Sequence, residues 1–243
     1  MIQLVAFLGN HGRKYNNNRH NAGRMLAQEL PFFNSLGWQK KFKGQYSSVS
    51  FGEVLSAANS HRDALRQRFP SADAALLLDE NPTGSQTQSG KIHLVMPETF
   101  MNLSGESVLA AASFFNIKTE EIIVIHDELE IPLGTISLKF SSGLGGHNGL
   151  RSMKSSFGSA DFWRLRLGIG RPDNRLPGEG GPAEADRGIA DWVLSDFSGA
   201  ERELFAPALA VGAGLLLRAL INEPQTLLPH WAKKKIGLVR QLD

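Results

Sequence analysis

The chain has 243 residues, 42% of them hydrophobic, which is enough to bury one full core and favours a single domain. Its 26 basic and 24 acidic residues leave a formal charge of +2, so net charge alone does not mark a nucleic-acid binder. The lack of cysteine excludes disulfides, thiolate catalysis and cysteine-type zinc sites, and it fits a reducing compartment.

From Met1 the chain runs straight into the apolar stretch Gln3 to Leu8, with no basic region before it, which predicts a buried strand rather than a signal peptide. Ala22 to Leu30 has the periodicity of a helix. Residues 53 to about 90 pass from an Ala- and Arg-rich stretch of helical composition into a Ser-, Gln-, Thr- and Gly-rich one beginning at Asn81-Pro82. In that segment Glu53, Asp63, Asp73, Asp79 and Glu80 outnumber Arg62, Arg66 and Arg68, which opposes phosphate binding. Ile92 to Met96 and Ile122 to Ile125 predict buried strands, with a helix over Ser104 to Phe115 between them and Glu106 in its first turn. Ile136, Leu138 and Phe140 alternate with Ser137 and Lys139, the pattern of a half-exposed strand, and Arg164 to Gly168 alternates too. A helix over Leu150 to Phe157 lies between these two. Residues 172–188 are rich in Pro and Gly, and together with 53–90 they read as loops or lids inserted into the plan. Glu201 to Ile221 predicts a helix. Its uncharged part, Leu204 to Leu217, contains Pro207, Gly212 and Gly214 and falls short of the roughly twenty apolar residues of a membrane span, so it reads as a buried helix. Lys233-Lys234-Lys235 reads as a solvated tail. Strands interleaved with helices predict an α/β fold: one domain over 1–243, with a mixed, mostly parallel central sheet flanked by helices.

The polar residues are placed more tellingly than their identities suggest. Asn10 follows the first strand, Met101-Asn102 follow the strand ending at Met96, and Asp127 follows the strand ending at Ile125. Open α/β sheets bind ligands beyond the carboxyl ends of their strands. Each residue alone has a plain structural role. Asn10 suits a turn, Asn102 or Ser104 and Asn148 suit helix caps, His20 in Asn16-Asn17-Asn18-Arg19-His20 suits a surface, and Asp127 suits a solvated loop. Their shared location argues for a site in which an imidazole, a carboxylate and several amides perform hydrolysis.

Other sites are excluded by spacing. In Gly143-Leu144-Gly145-Gly146-His147-Asn148-Gly149 the last glycine comes one position late for a dinucleotide fingerprint, and no acid stands at the ribose position. Ser89-Gly90-Lys91 is not a phosphate loop, and no Gly-x-Ser-x-Gly elbow exists. His126, Asp127, Glu128 and Glu130 could ligate a divalent cation, but no second histidine stands at metalloprotease spacing.

Several stretches resemble the bacterial peptidyl-tRNA hydrolase family in order and spacing. These are Leu8-Gly9-Asn10-His11-Gly12 through Tyr15, Arg19-His20-Asn21-Ala22-Gly23, and Pro97-x-Thr99-Phe100-Met101-Asn102-Leu103-Ser104-Gly105. His126-Asp127-Glu128-Leu129, Gly145-Gly146-His147-Asn148-Gly149 and Phe162-x-Arg164-x-Arg166-x-Gly168-Ile169-Gly170 follow. The resemblance implies cleavage of the ester between a peptide and the tRNA 3′ ribose, in the cytoplasm, by a monomer that needs no metal, no other cofactor and no membrane. It implies His20 as general base, the residue type whose ordinary pKa suits that task, oriented by Asp127. Asn10, Tyr15, Asn21, Phe100, Met101, Asn102, Gly145, His147 and Asn148 are implied in substrate binding, and Lys139 with Arg166 as a clamp on the tRNA 5′ phosphate.

Two departures stand out. His11 occupies a position where the family usually has proline, and Ser137 one where a second lysine is common. Two further readings stay open at this level: an RNA-binding relative without catalysis, using the Gly9-x-x-Gly12 loop on phosphates, and a metal-dependent hydrolase using His126, Asp127 and Glu128.

Overall fold

A computed structural model describes residues 1–68, 90–172 and 182–236. Chain order runs β1 (Leu4–Phe7), α1 (Ala22–Gln28), β2 (Gln39–Lys41), β3 (Gly44–Ser50), α2 (Phe51–Arg68), β4 (Lys91–Pro97), α3 (Ser104–Phe115), β5 (Ile122–Glu128), β6 (Thr135–Phe140), α4 (Asn148–Phe157), β7 (Trp163–Gly168), α5 (Pro182–Leu194), α6 (Gly199–Ile221), α7 (Pro224–Trp231) and β8 (Lys234–Lys235). The strands form one sheet in the order β2-β3-β4-β1-β5-β7-β6-β8. β4, β1, β5 and β7 are mutually parallel, and the pairs outside them are antiparallel. The sheet is mixed, as expected, and its four central strands are parallel, but the antiparallel pairs at its two edges outnumber the parallel ones.

Helices cover both faces. Strand residues such as Val5, Phe7, Ile123, Ile125 and Leu165 pack with α1, α2, α6 and α7 on one side. Leu4, Ala6, Ile122 and Val124 pack with α3 and α4 on the other. The chain moves from β1 to β4 on one side and then crosses to β5 on the other, so β1 marks the point where the winding reverses. A crevice opens there at the carboxyl edge.

α6 is long and apolar enough to cross a membrane, but 83% of its most apolar window is buried within the fold, in line with the expected buried helix. A capping box starts it, with Ser198 Oγ accepting from Glu201 N–H and the Glu201 carboxylate accepting from Ser198 N–H at 2.8 Å.

Four expectations are corrected. The inserted segment does not begin as a loop: residues 53–68 belong to α2, started by Ser50 and Glu53 in a reciprocal cap. Val54, Ala57, Ala58, His61 and Leu65 form a buried stripe on this helix, and His61 Nε2 bonds the Ala210 carbonyl of α6 at 2.8 Å. Residues 69–89 of the segment lie outside the described residues. In the second Pro- and Gly-rich segment, residues 182–188 open α5, while 173–181 lie outside the described residues. The strand at Ile136 to Phe140 is buried on both faces through Leu138, because α6 and α7 pack against it, and the Ser137 hydroxyl donates to the Ala232 carbonyl just after α7. Lys234–Lys235 pair with β6 as the edge strand β8 rather than forming a free tail, while Lys233 and Lys235 stay exposed.

Candidate active site

His20 lies on the 3-10 turn Arg19–Asn21 that leads into α1. The turn is seated by Gly23, where a Cβ would come within 2.5 Å of the Ile125 carbonyl and 2.6 Å of the Leu8 carbonyl. Only glycine lets the start of α1 lie directly on the ends of β1 and β5. Three consecutive side chains then bolt to three different elements: Arg19 to the α5–α6 junction, His20 to β5 and Asn21 to the loop after β1.

β5 continues through Glu128, so Asp127 sits inside the strand rather than after it, and is buried. His20 Nδ1 lies 2.9 and 3.0 Å from the two Asp127 carboxylate oxygens. His147 Nε2 lies 3.0 Å from Oδ1 of the same carboxylate. The His147 tautomer follows from its other nitrogen: Nδ1 accepts from the backbone N–H groups of Gly149 and Leu150 as the N-cap of α4, so the proton resides on Nε2 and is donated to Asp127. Burial opposes ionisation of Asp127, but His20 and His147 prevail and hold its carboxyl well below the usual range. Burial also disfavours a charged His20, yet the neighbouring carboxylate outweighs it and raises the imidazole above its ordinary value. With Nδ1–H committed to Asp127, Nε2 of neutral His20 carries the free lone pair. His126 is fully buried, its Nδ1–H donating to the Asp127 carbonyl at 2.7 Å, and burial pushes its pKa well down.

His20, Asp127 and His147 open into a cleft of about 860 Å³ that also contains Asn10, Tyr15, Phe100, Met101, Asn102, Gly145 and Asn148. Asn102 and Asn148 are exposed to it, Phe100 is 78% exposed, and Met101 is buried beneath. Asn21 does not line the cleft. Its buried amide accepts from Asn10 N–H at 2.7 Å and donates to Asn10 carbonyl at 3.0 Å, fixing the backbone that presents the Asn10 side chain. His11 Nδ1 lies 3.3 Å from a Glu98 carboxylate oxygen, which brings the loop after β1 beside the loop after β4.

Sequence reasoning missed one wall of the cleft: Ile189, Ala190, Val193 and Leu194 of α5. Their spacing follows a helical stripe, but it is hidden behind the Pro- and Gly-rich run. Arg151 and Arg171 also line the cleft, Arg171 being paired with Glu130.

Lys139 and Arg166 stand outside the cleft lining, on adjacent antiparallel strands where Lys139 faces Arg164 and Ser137 faces Arg166. Arg166 Nε donates to Glu128 Oε2 at 3.0 Å, and Nη1 lies 3.4 Å from the Ser137 hydroxyl. Ser137, the residue in place of a second lysine, is therefore buried structure here. Among the described residues, the side chains whose potential metal-ligand atoms lie within 4.8 Å of one another are His20, Asp127 and His147, not the His126-Asp127-Glu128 run.

An α/β sheet with an imidazole–carboxylate couple and side-chain amides at its carboxyl edge defines a hydrolase-type site. The chain belongs to the peptidyl-tRNA hydrolase family, whose profile matches residues 4–62 and 63–236. It is 36% identical over 238 residues to the peptidyl-tRNA hydrolase of Treponema pallidum (strain Nichols), spanning 97% of this chain and 96% of that protein. It is 34% identical over 233 residues to that of Dichelobacter nodosus (strain VCS1703A), spanning 95% and 98%. The crystal structure of peptidyl-tRNA hydrolase from Acinetobacter baumannii superposes with a TM-score of 0.63 at 26% identity, covering 95% of this chain and 96% of that one.

Proposed function

We propose that the chain hydrolyses the ester bond joining a peptide to the 3′ end of tRNA, releasing tRNA for reuse in translation, with His20 as general base. The observation that carries this reading is the hydrogen bond between His20 Nδ1 and the buried Asp127 carboxylate at the edge of an amide-lined cleft. His20 Nε2 takes a proton from water as the oxygen attacks the ester carbonyl, and Asp127 stabilises the imidazolium that forms. The imidazolium then returns the proton to the departing ribose oxygen. The amides of Asn10, Asn102 and Asn148 donate to the developing oxyanion and to the peptide main chain, which makes binding indifferent to peptide side chains. Tyr15, Phe100, Met101, Gly145 and His147 complete the surface around the scissile bond, Asn21 acts through Asn10, and Lys139 with the remaining donors of Arg166 meets the 5′ phosphate.

The reading requires no metal or other cofactor and places the reaction in the cytoplasm, where peptidyl-tRNA is made, in a single copy of the chain. The test compares N-acetyl-aminoacyl-tRNA with free aminoacyl-tRNA, each with and without excess chelator. Cleavage of the blocked substrate alone, at the same rate in chelator, is expected. A loss in chelator that is restored by a divalent cation would move the chemistry to a metal held by His20, Asp127 and His147.

A further inference from the structure

Arg19 neither lines the cleft nor joins the His20–Asp127–His147 cluster, yet it is buried and densely partnered. Its Nη2 donates to both oxygens of Glu201 at 2.6 and 2.7 Å, and its Nη1 to the Ser195 hydroxyl and the Asp196 carbonyl at 2.6 and 2.7 Å. The guanidinium carbon lies 3.7 Å from the ring centre of Trp192 and 5.0 Å from that of Phe197. The backbone reinforces the joint, with Arg19 N–H donating to the Ser195 carbonyl and Asn18 bridging Asp196. One side chain thus holds the end of α5 and the capping acid of α6. Trp192 lies on the same helix as Val193, whose side chain faces the cleft, and its Nε1 donates to the Gly170 carbonyl at 2.9 Å.

We propose that Arg19 is a positioning residue that couples the apolar α5 wall of the cleft to the adjacent His20, setting the distance between the wall that confines the peptide and the group that activates water. The proposal rests on the reading of His20 as the base. A guanidinium suits this joint because it is flat enough to stack on Trp192 while its donors fork to the acid and the helix end, which an ammonium cannot do.

The experiment is a double-mutant cycle in the full chain, reading kcat and KM on N-acetyl-aminoacyl-tRNA and the thermal midpoint for Arg19→Lys, Val193→Ala and both together. Arg19→Lys is expected to lower kcat/KM about tenfold or more, because small displacements of reacting groups cost steeply. In the Val193→Ala background its effect is expected to shrink to about threefold or less, since the wall it positions has lost its contact. A lower thermal midpoint with unchanged kcat and KM, or simple multiplication of the two effects, would overturn the proposal. If Arg19→Lys fails to fold, Glu201→Gln gives the same cycle, because it leaves the cation and its stacking in place. His20→Ala, measured alongside, separates the readings: full activity there refutes the base and leaves the Arg19–Val193 coupling to be read independently.

Discussion

His147 and Asp127 are joined side chain to side chain, the imidazole Nε2–H donating to Oδ1 of the carboxylate at 3.0 Å. Because His147 also caps α4 through Nδ1, the amino end of a helix aims the acid that aims His20. Asp127 therefore receives donors from both sides of the crevice.

Opposite shifts of the pH profile are expected from the two ends of this chain of bonds. With the neutral form of His20 as the proposed base, kcat/KM is expected to rise with pH through the His20 pKa, which Asp127 holds above the ordinary imidazole value. Asp127→Asn removes the charge and leaves burial to dominate, so the limb moves to lower pH while kcat falls about 10²- to 10⁴-fold as the base loses its orientation. His147→Ala removes a competing donor, leaves Asp127 the stronger partner for His20, and moves the limb to higher pH. It also lowers stability by about 1 kcal/mol through loss of the cap. A pH series of kcat/KM on the three proteins decides; shifts in the same direction contradict the assignment.

Asn102, exposed in the cleft, is expected to tolerate loss of its amide better than a charge in its place. Asn102→Ala should lower kcat/KM by about 10- to 100-fold, and Asn102→Asp by more, because a carboxylate repels the developing oxyanion. Steady-state kinetics showing the aspartate to be the milder change would place the amide away from that oxygen.

The Arg166–Glu128 pair allows the proposed contact of Arg166 with the tRNA 5′ phosphate to be tested. Arg166→Ala is expected to raise KM for substrate carrying a 5′ phosphate and to flatten its salt dependence, whereas Glu128→Gln frees Arg166 and should steepen it. Salt titrations of KM with and without the 5′ phosphate check this. Equal effects on both substrates would assign the pair to the fold.

α2 is expected to contribute stability rather than chemistry. Leu65→Ala, deep in the α2–α6 contact, is expected to cost about 2–4 kcal/mol without moving kcat or KM. Denaturant unfolding beside kinetics measures both, and replacement of the whole segment from Ala57 onward by a short flexible linker should unfold the protein, since Ala57, Ala58, His61 and Leu65 would all be lost from the core.

How far the sequence reveals this molecule depends on burial. β1, β4 and β5 are legible because a parallel strand covered on both faces must be continuously apolar, as in Leu4–Phe7 and Ile122–Ile125. β2 and β3 stay hidden because they form a polar edge, with Lys40 and Lys41 exposed and a turn at Phe42-Lys43 that carries no Asn-Gly signal. α2 is announced by Ser50 and Glu53 at capping-box spacing, a signal overshadowed by the low-complexity stretch that follows. In the site, the glycine- and amide-bearing turns stand out locally, whereas the partners of Arg19 do not: Glu201 is 182 residues away, and nothing in either neighbourhood points to the other. Asn21 shows the same limit, since only the fold reveals that its amide serves the backbone of Asn10.

The central claim is that His20, oriented by Asp127, is the base that cleaves peptidyl-tRNA, and single-turnover hydrolysis of N-acetyl-aminoacyl-tRNA by His20→Ala tests it most directly, with tRNA binding measured on the same protein. The expected result is a rate about 10²- to 10⁴-fold below that of the unaltered chain with binding retained; a rate within a few-fold of it, in a protein that still binds tRNA, would contradict the claim.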